Sequence, residues 1–226
     1  MDAKSSRSSP GPFSCVIFDL DGTLTRTNEL IFASFNHVAR KYLGKELLPR
    51  EVIALFGPPE EGGLARLIGS DAVDTAMNDL CDFYHHHHAS MARAHSGVEE
   101  MLGFLKERDV QLALFTGKGR RTTSITLDTL DLGKYFDLTI SGTDVVHHKP
   151  HPEGIRRVLD AFALQPHQAL MVGDGLADIK ASRAAGVPVA AALWDCYDTE
   201  NVLAARSEYV FWEVSELLAW FRHQYS

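Results

Sequence analysis

The chain has 226 residues, 45% of them hydrophobic and 23% charged, enough to bury a sizeable core without disulfide staples. Its formal net charge of −8 argues against an extended basic face for nucleic acid, but leaves room for a local positive pocket that holds a small phosphate. Three widely spaced cysteines, Cys15, Cys81 and Cys196, form no CxxC pair and point to reduced cytoplasmic thiols instead of a zinc site or a disulfide framework.

The opening MDAKSSRSSPGP is polar and rich in Pro, Gly and Ser, which predicts a disordered tail over residues 1–12 and contains no apolar stretch of signal-peptide length. CVIF then runs into Asp19 as a first strand. From about Glu29 to Met91 no buried-strand run occurs; helices are expected at Glu29–Leu43, Pro49–Leu55 and Asp71–Met91, with a Gly57–Gly63 loop among them. That interval is far longer than a normal crossover, so 29–91 reads as an inserted helical cap on a core built from 13–28 and 92–226.

Val98, Met101, Leu102 and Leu105 then repeat at helical period, as do Ile155, Val158, Leu159 and Phe162. Between and after them lie QLALF before Thr116, LTI before Ser141, ALMV before Gly173 and VPVAAAL ending at Leu193. None of these runs alternates in and out, as expected of strands covered on both faces. A helix starting near Ala177 stops at Gly186 and Pro188, and Ser215–His223 closes the chain as an amphipathic helix. Strand–helix alternation of this kind predicts an α/β fold, a Rossmann-like, doubly wound parallel sheet. No run reaches the apolar length of a membrane span.

Functional groups gather where these strands end, the place where open α/β sheets bind ligands. Asp19-Leu20-Asp21-Gly22-Thr23 follows the first strand. Carboxylates at i and i+2 allow one to attack phosphorus while its neighbour handles protons, and Gly22 lets the chain turn away. Thr116 and Gly117 offer a hydroxyl and N–H groups to phosphoryl oxygens. Lys149 can balance negative charge, and Asp174 and Asp178 offer hard oxygen ligands one helical turn apart.

Together DLDGT at 19–23, FTG at 115–117, Lys149 in KPHPE and GDGLAD at 173–178 resemble the motifs of the haloacid dehalogenase superfamily, in the branch whose helical cap follows the first motif. Within it the chain is similar to phosphoglycolate phosphatase-like and pyrophosphatase-like hydrolases. The resemblance implies Asp19 as nucleophile, Asp21 as acid/base, Thr116 and Lys149 as phosphoryl contacts, and Mg²⁺ as cofactor. Asp19, Asp174 and Asp178 would hold the metal, with Asp21 adding its main-chain carbonyl. Leu20, Gly22, Thr23 and Gly117 join the substrate pocket. Arg26 replaces an acid common in relatives, and Gly117 an Asn; both departures bear on substrate, not reaction.

The expected activity is magnesium-dependent hydrolysis of a small phosphorylated metabolite, phosphoglycolate-like, through an aspartyl-phosphate. A pyrophosphatase, a sugar-phosphate phosphatase or mutase, and a non-catalytic phosphate-binding regulator are the alternatives. The protein is expected to act as a monomer or homodimer, without nucleic acid or membrane. Specificity is expected from Gly57, Pro58 and the acidic Glu60 and Glu61 in the cap loop, with Arg26 and the Lys118, Arg120 and Arg121 cluster. His85–His88 reads as a solvated run, and Trp194, Trp212 and Trp220 as packing residues.

Overall fold

The structure, a computed structural model, describes residues 11–226. The expected tail therefore falls, through residue 10, outside the described residues. A parallel six-stranded sheet forms the centre. In chain order its strands are β1 (Cys15–Phe18), β4 (Gln111–Phe115), β5 (Leu138–Ile140), β6 (Ala169–Gly173), β7 (Val189–Ala192) and β8 (Tyr209–Phe211), set side by side as β5-β4-β1-β6-β7-β8. The chain leaves β1 for β4 on one side and returns to β6 on the other, so β1 lies at the topological switch point.

The apolar runs are continuous because each strand is covered on both faces. Val16 and Phe18 pack with Leu112, Leu170 and the helix α5 (Val98–Glu107), while Cys15 and Ile17 pack with Ala113, Met171 and α7 (Glu153–Phe162). Each fully buried aliphatic side chain on these helices contributes about 1.5–3 kcal/mol. Helix α8 (Leu176–Ala185) ends at Gly186, whose φ of 73° is the left-handed cap a glycine accepts most easily.

Four α-helices fill the interval after β1: α1 (Asn28–Leu43), α2 (Pro49–Ile53), α3 (Glu60–Ile68) and α4 (Val73–Met91). They share their own cluster, with Phe35, Val38, Leu64, Met77 and Leu80 buried together. Two of the chain's passages beside this segment, β2 (Thr25–Arg26) and β3 (Arg93–Ala94), pair antiparallel. The expected Gly57–Gly63 loop is shorter than the sequence implies, since α3 starts at Glu60. His88, placed in a solvated run, is fully buried, with Nε2 3.1 Å from Thr126 Oγ1. Trp212 is 54% exposed and does not pack as expected, whereas Trp194 donates from Nε1 to the Thr23 carbonyl at 2.9 Å. The remaining helices are α6 (Arg120–Thr129), α9 (Thr199–Ala204) and α10 (Val214–Gln224). No helix among the described residues is long and apolar enough to cross a membrane.

Candidate active site

The carboxyl ends of β1, β4 and β6 open into a cavity of about 260 Å³ lined by Asp19, Asp21, Thr116, Gly117, Lys149, Asp174 and Asp178. Asp19 is fixed by its own N–H, which donates to the Val172 carbonyl at 2.9 Å and extends the β1–β6 ladder by one residue. The Lys149 ammonium donates to Asp19 Oδ1 at 2.8 Å and to Asp178 Oδ1 at 2.6 Å, with only 7% of its side chain exposed. Burial would discharge such a lysine, but the two carboxylates outweigh it and hold its pKa above the usual value.

The acids are short of positive charge. Burial pushes Asp19 up to about 7, against the pull of Lys149, with Asp178 and Asp21 adding repulsion. Asp174 is raised well above the usual carboxylate range by burial and by Asp19 and Asp178. Asp19, Asp174 and Asp178 present oxygens within 4.8 Å of one another. Three carboxylates against one ammonium make a hard-oxygen donor set that a divalent cation such as Mg²⁺ fits and would keep ionised.

The turn after β1 is shaped for this crowding. Gly22 has φ of 82°, a left-handed turn that favours glycine, and a Cβ there would stand 2.5 Å from Asp174 Oδ2, so glycine leaves that carboxylate its place. Thr23, fully buried, donates from Oγ1 to Asp174 Oδ1 at 3.0 Å. It orients Asp174, one of the three clustered acids, and does not line the cavity. Leu20 likewise leaves the cavity, its side chain buried in the core under the sheet.

Asp21 faces a different set of partners. Its Oδ1 accepts a short hydrogen bond from Thr27 Oγ1, and its Oδ2 lies 3.4 Å from Lys118 Nζ. Its carboxylate is not part of the three-acid group. On the neighbouring strand end, the Lys118 N–H donates to Thr116 Oγ1 at 3.1 Å, which leaves the Thr116 hydroxyl proton free to point elsewhere.

The basic cluster expected after the second motif divides. Lys118 is buried, 2% of its side chain exposed, between Asp21 and Glu60 Oε1 at 3.6 Å. These acids and Tyr84 raise its pKa against a large burial penalty. Arg120 and Arg121 are exposed and do not line the cavity, and Arg120 pairs with Asp144. Arg26 is also off the cavity, in a separate depression with Arg93 and Asp195. Glu60 is no free loop charge: Oε2 accepts the Gly119 N–H at 2.6 Å and Oε1 accepts from Thr122 Oγ1 at 2.5 Å. It thereby caps the first turn of α6 from the opposite side of the cleft.

Gly57 and Pro58 do line the cavity, as expected. Asn28, Ile31, Phe35, Leu55, Phe56 and Tyr197 line it too and were not singled out by the sequence. For Tyr197 the available signal was position, since it follows β7, another carboxyl strand end.

Residues 16–192 match the family model of haloacid dehalogenase-like hydrolases. Pyrophosphatase PpaX from Bacillus cereus is 32% identical over 203 residues, covering 90% of this chain and 94% of that protein. The crystal structure of a predicted phosphoglycolate phosphatase from Haemophilus somnus superposes with a TM-score of 0.84 at 21% identity, covering 94% of this chain and 100% of that one. CbbY from Rhodobacter sphaeroides, in complex with phosphate, has a TM-score of 0.80 at 20% identity, over 91% and 96% of the two chains. At such identities these two likenesses speak to the fold. The chain belongs to the haloacid dehalogenase-like hydrolases. It is an enzyme of their phosphatase class.

Proposed function

We propose that the protein is a magnesium-dependent phosphatase that hydrolyses a small organic phosphate through a phosphoryl group carried on Asp19. The observation that carries this reading is the Lys149 ammonium bridging Asp19 and Asp178 beside Asp174, on the same cavity as Thr116 and Asp21. Bound by Asp19, Asp174 and Asp178, with the Asp21 main-chain oxygen as a further donor, Mg²⁺ would supply positive charge for the acids and the incoming phosphoryl oxygens.

The chain's own groups do the rest. Asp19 attacks phosphorus, forming an acyl phosphate as the bond to the leaving oxygen breaks. Asp21 gives that oxygen its proton, and the alcohol departs. Asp21 then takes a proton from the water that cleaves the acyl phosphate, returning Asp19 and releasing inorganic phosphate. Thr116 and the Gly117 N–H donate to phosphoryl oxygens, and Lys149 offsets their charge. Phosphoglycolate and, from the PpaX relatives, pyrophosphate are the natural first substrates to compare. Three free thiols suit a cytoplasmic enzyme.

Asp19→Asn should lower kcat by about 10³-fold or more with unchanged circular dichroism, because an amide does not attack phosphorus. Wild-type enzyme quenched in acid during turnover should carry labelled phosphate on Asp19. Activity near wild type in the variant would remove Asp19 from the mechanism.

A further inference from the structure

The cavity joins two walls of opposite chemistry. The sheet end holds the phosphoryl machinery. The wall facing it comes from α1, the α2–α3 connection, the start of α3 and the loop after β7; it is mostly Ile31, Phe35, Leu55, Phe56 and Tyr197, with Asn28 and the already bonded Glu60 as its polar members. The Asn28 amide nitrogen is already directed at Asp195 Oδ2, 3.5 Å away. Phe56 and Tyr197 are 38% and 55% exposed, and each sits 6.2 Å from Phe32, so a partly open aromatic rim surrounds the mouth. Exposed aromatic surface that continues into a cavity marks a place where an apolar group is covered on binding.

Charge points the same way. Among the described residues the only cations lining the cavity are Lys118 and Lys149. Lys149 is held by Asp19 and Asp178, and Lys118 by Asp21 and Glu60. Arg26, Arg120 and Arg121 lie elsewhere. A second anion on the leaving group would meet Asp21 and Glu60 with no free cation, and a buried charge without a partner is strongly disfavoured.

We infer that the leaving group is an uncharged, apolar alcohol of about one ring, seated against Phe35, Phe56 and Tyr197; this rests on the phosphatase reading above. The size agrees: a cavity of about 150 Å³ takes up benzene, and the 260 Å³ here holds a phosphoryl group beside such a ring. Hydrolysis then converts a neutral-tailed phosphate monoester and water into the free alcohol and inorganic phosphate, the P–O bond breaking and Asp21 protonating the alcohol oxygen. Phosphoglycolate and pyrophosphate, each with a second anion, become poor substrates.

The test is kcat/KM of the full chain with Mg²⁺ on benzyl phosphate and 4-carboxybenzyl phosphate, whose leaving oxygens match and whose tails differ by one para carboxylate, with the neutral, near-isosteric methyl ester of the second as a size control. Phosphoglycolate, pyrophosphate and acetyl phosphate complete the set. Benzyl phosphate should exceed the carboxylated ester by about tenfold or more. Tyr197→Arg, which places a free cation at the rim, should narrow that ratio by about tenfold. If that variant does not fold, calorimetric binding of benzylphosphonate against 4-carboxybenzylphosphonate to the wild type reads the same preference without turnover. Equal or better use of the acidic-tailed substrates overturns the inference while the phosphatase reading stands. If none of these substrates is hydrolysed, acetyl phosphate included, both are overturned.

Discussion

Glu60 is where removing a single carboxylate should cost most outside the reacting groups. It is 9% exposed, accepts from Gly119 N–H and Thr122 Oγ1, and lies beside the buried Lys118 ammonium. In Glu60→Ala the N–H and the hydroxyl lose a charged acceptor, and hydrogen bonds to charged groups contribute about 1.5–3 kcal/mol each. Breaking a buried ion pair costs about 3–5 kcal/mol, but Lys118 keeps Asp21 as a partner, so the lower end applies. Because these contributions overlap, a combined loss of about 4 kcal/mol is expected. For a chain of this length each kcal/mol lowers Tm by about 2–4 °C, giving a fall of about 8–16 °C in differential scanning calorimetry. Glu60→Gln, which retains one acceptor oxygen, should lose roughly half as much. A double-mutant cycle with Thr122→Val should show coupling above about 0.5 kcal/mol. A fall of less than about 2 °C in Glu60→Ala would mean that water replaces the carboxylate and that the contact across the cleft carries no stability.

Asp174→Asn should abolish Mg²⁺ binding and Thr23→Val should weaken it by about tenfold through loss of the orienting hydroxyl, whereas Asp21→Asn should retain it; calorimetric titration checks all three. His88 is held down to about 4, mainly by burial and then by the Lys118 charge, so between about pH 4 and 6.5 the unfolded chain binds the extra proton and stability rises with pH. In His88→Gln the gain in urea midpoint from pH 4.5 to 6.5 should shrink, and an unchanged gain would dissociate His88 from the acid sensitivity.

The end of the site that gathers Asp19, Thr116 and Asp174 was legible because these residues sit immediately after strands that read as unbroken apolar runs. Burial on both faces erases alternation and so marks the strand, and the next polar residue marks its mouth. The helical side was legible only in part: Gly57 and Pro58 line the cavity as expected, but the elements around them were not all foreseen. PPEEGG reads as a turn, yet α3 begins inside it. Gly63 belongs there because a Cβ would come within 3.2 Å of both the Leu55 carbonyl and the Phe35 ring, a demand of packing that sequence does not display. Arg26 was misplaced for a simpler reason: on β2 Thr25 points inward and Arg26 outward, the two-residue period of a strand. Lys118, expected in the specificity cluster, does line the cavity; what the sequence did not display is its burial between Asp21 and Glu60, distant in sequence and adjacent only after folding.

The pairing of β2 with β3 constrains how the helices between them can travel. Thr25 faces Ala94, Arg26 faces Arg93, and the His95 N–H reaches the Leu24 carbonyl at 3.0 Å. Two strands laced in this way cannot slide past each other without breaking the lacing, so both ends of the helical segment are held in one register. Thr27 stands one residue past β2, its hydroxyl 3.3 Å from that of Thr25 and bonded to Asp21. The residue that holds the Asp21 carboxylate is therefore fixed to the end of that strand pair. Under the proposed mechanism, any change in the pitch of these helices would reach the Asp21 carboxylate through Thr27, so the geometry of the cleft and the aim of the proposed proton donor are tied together.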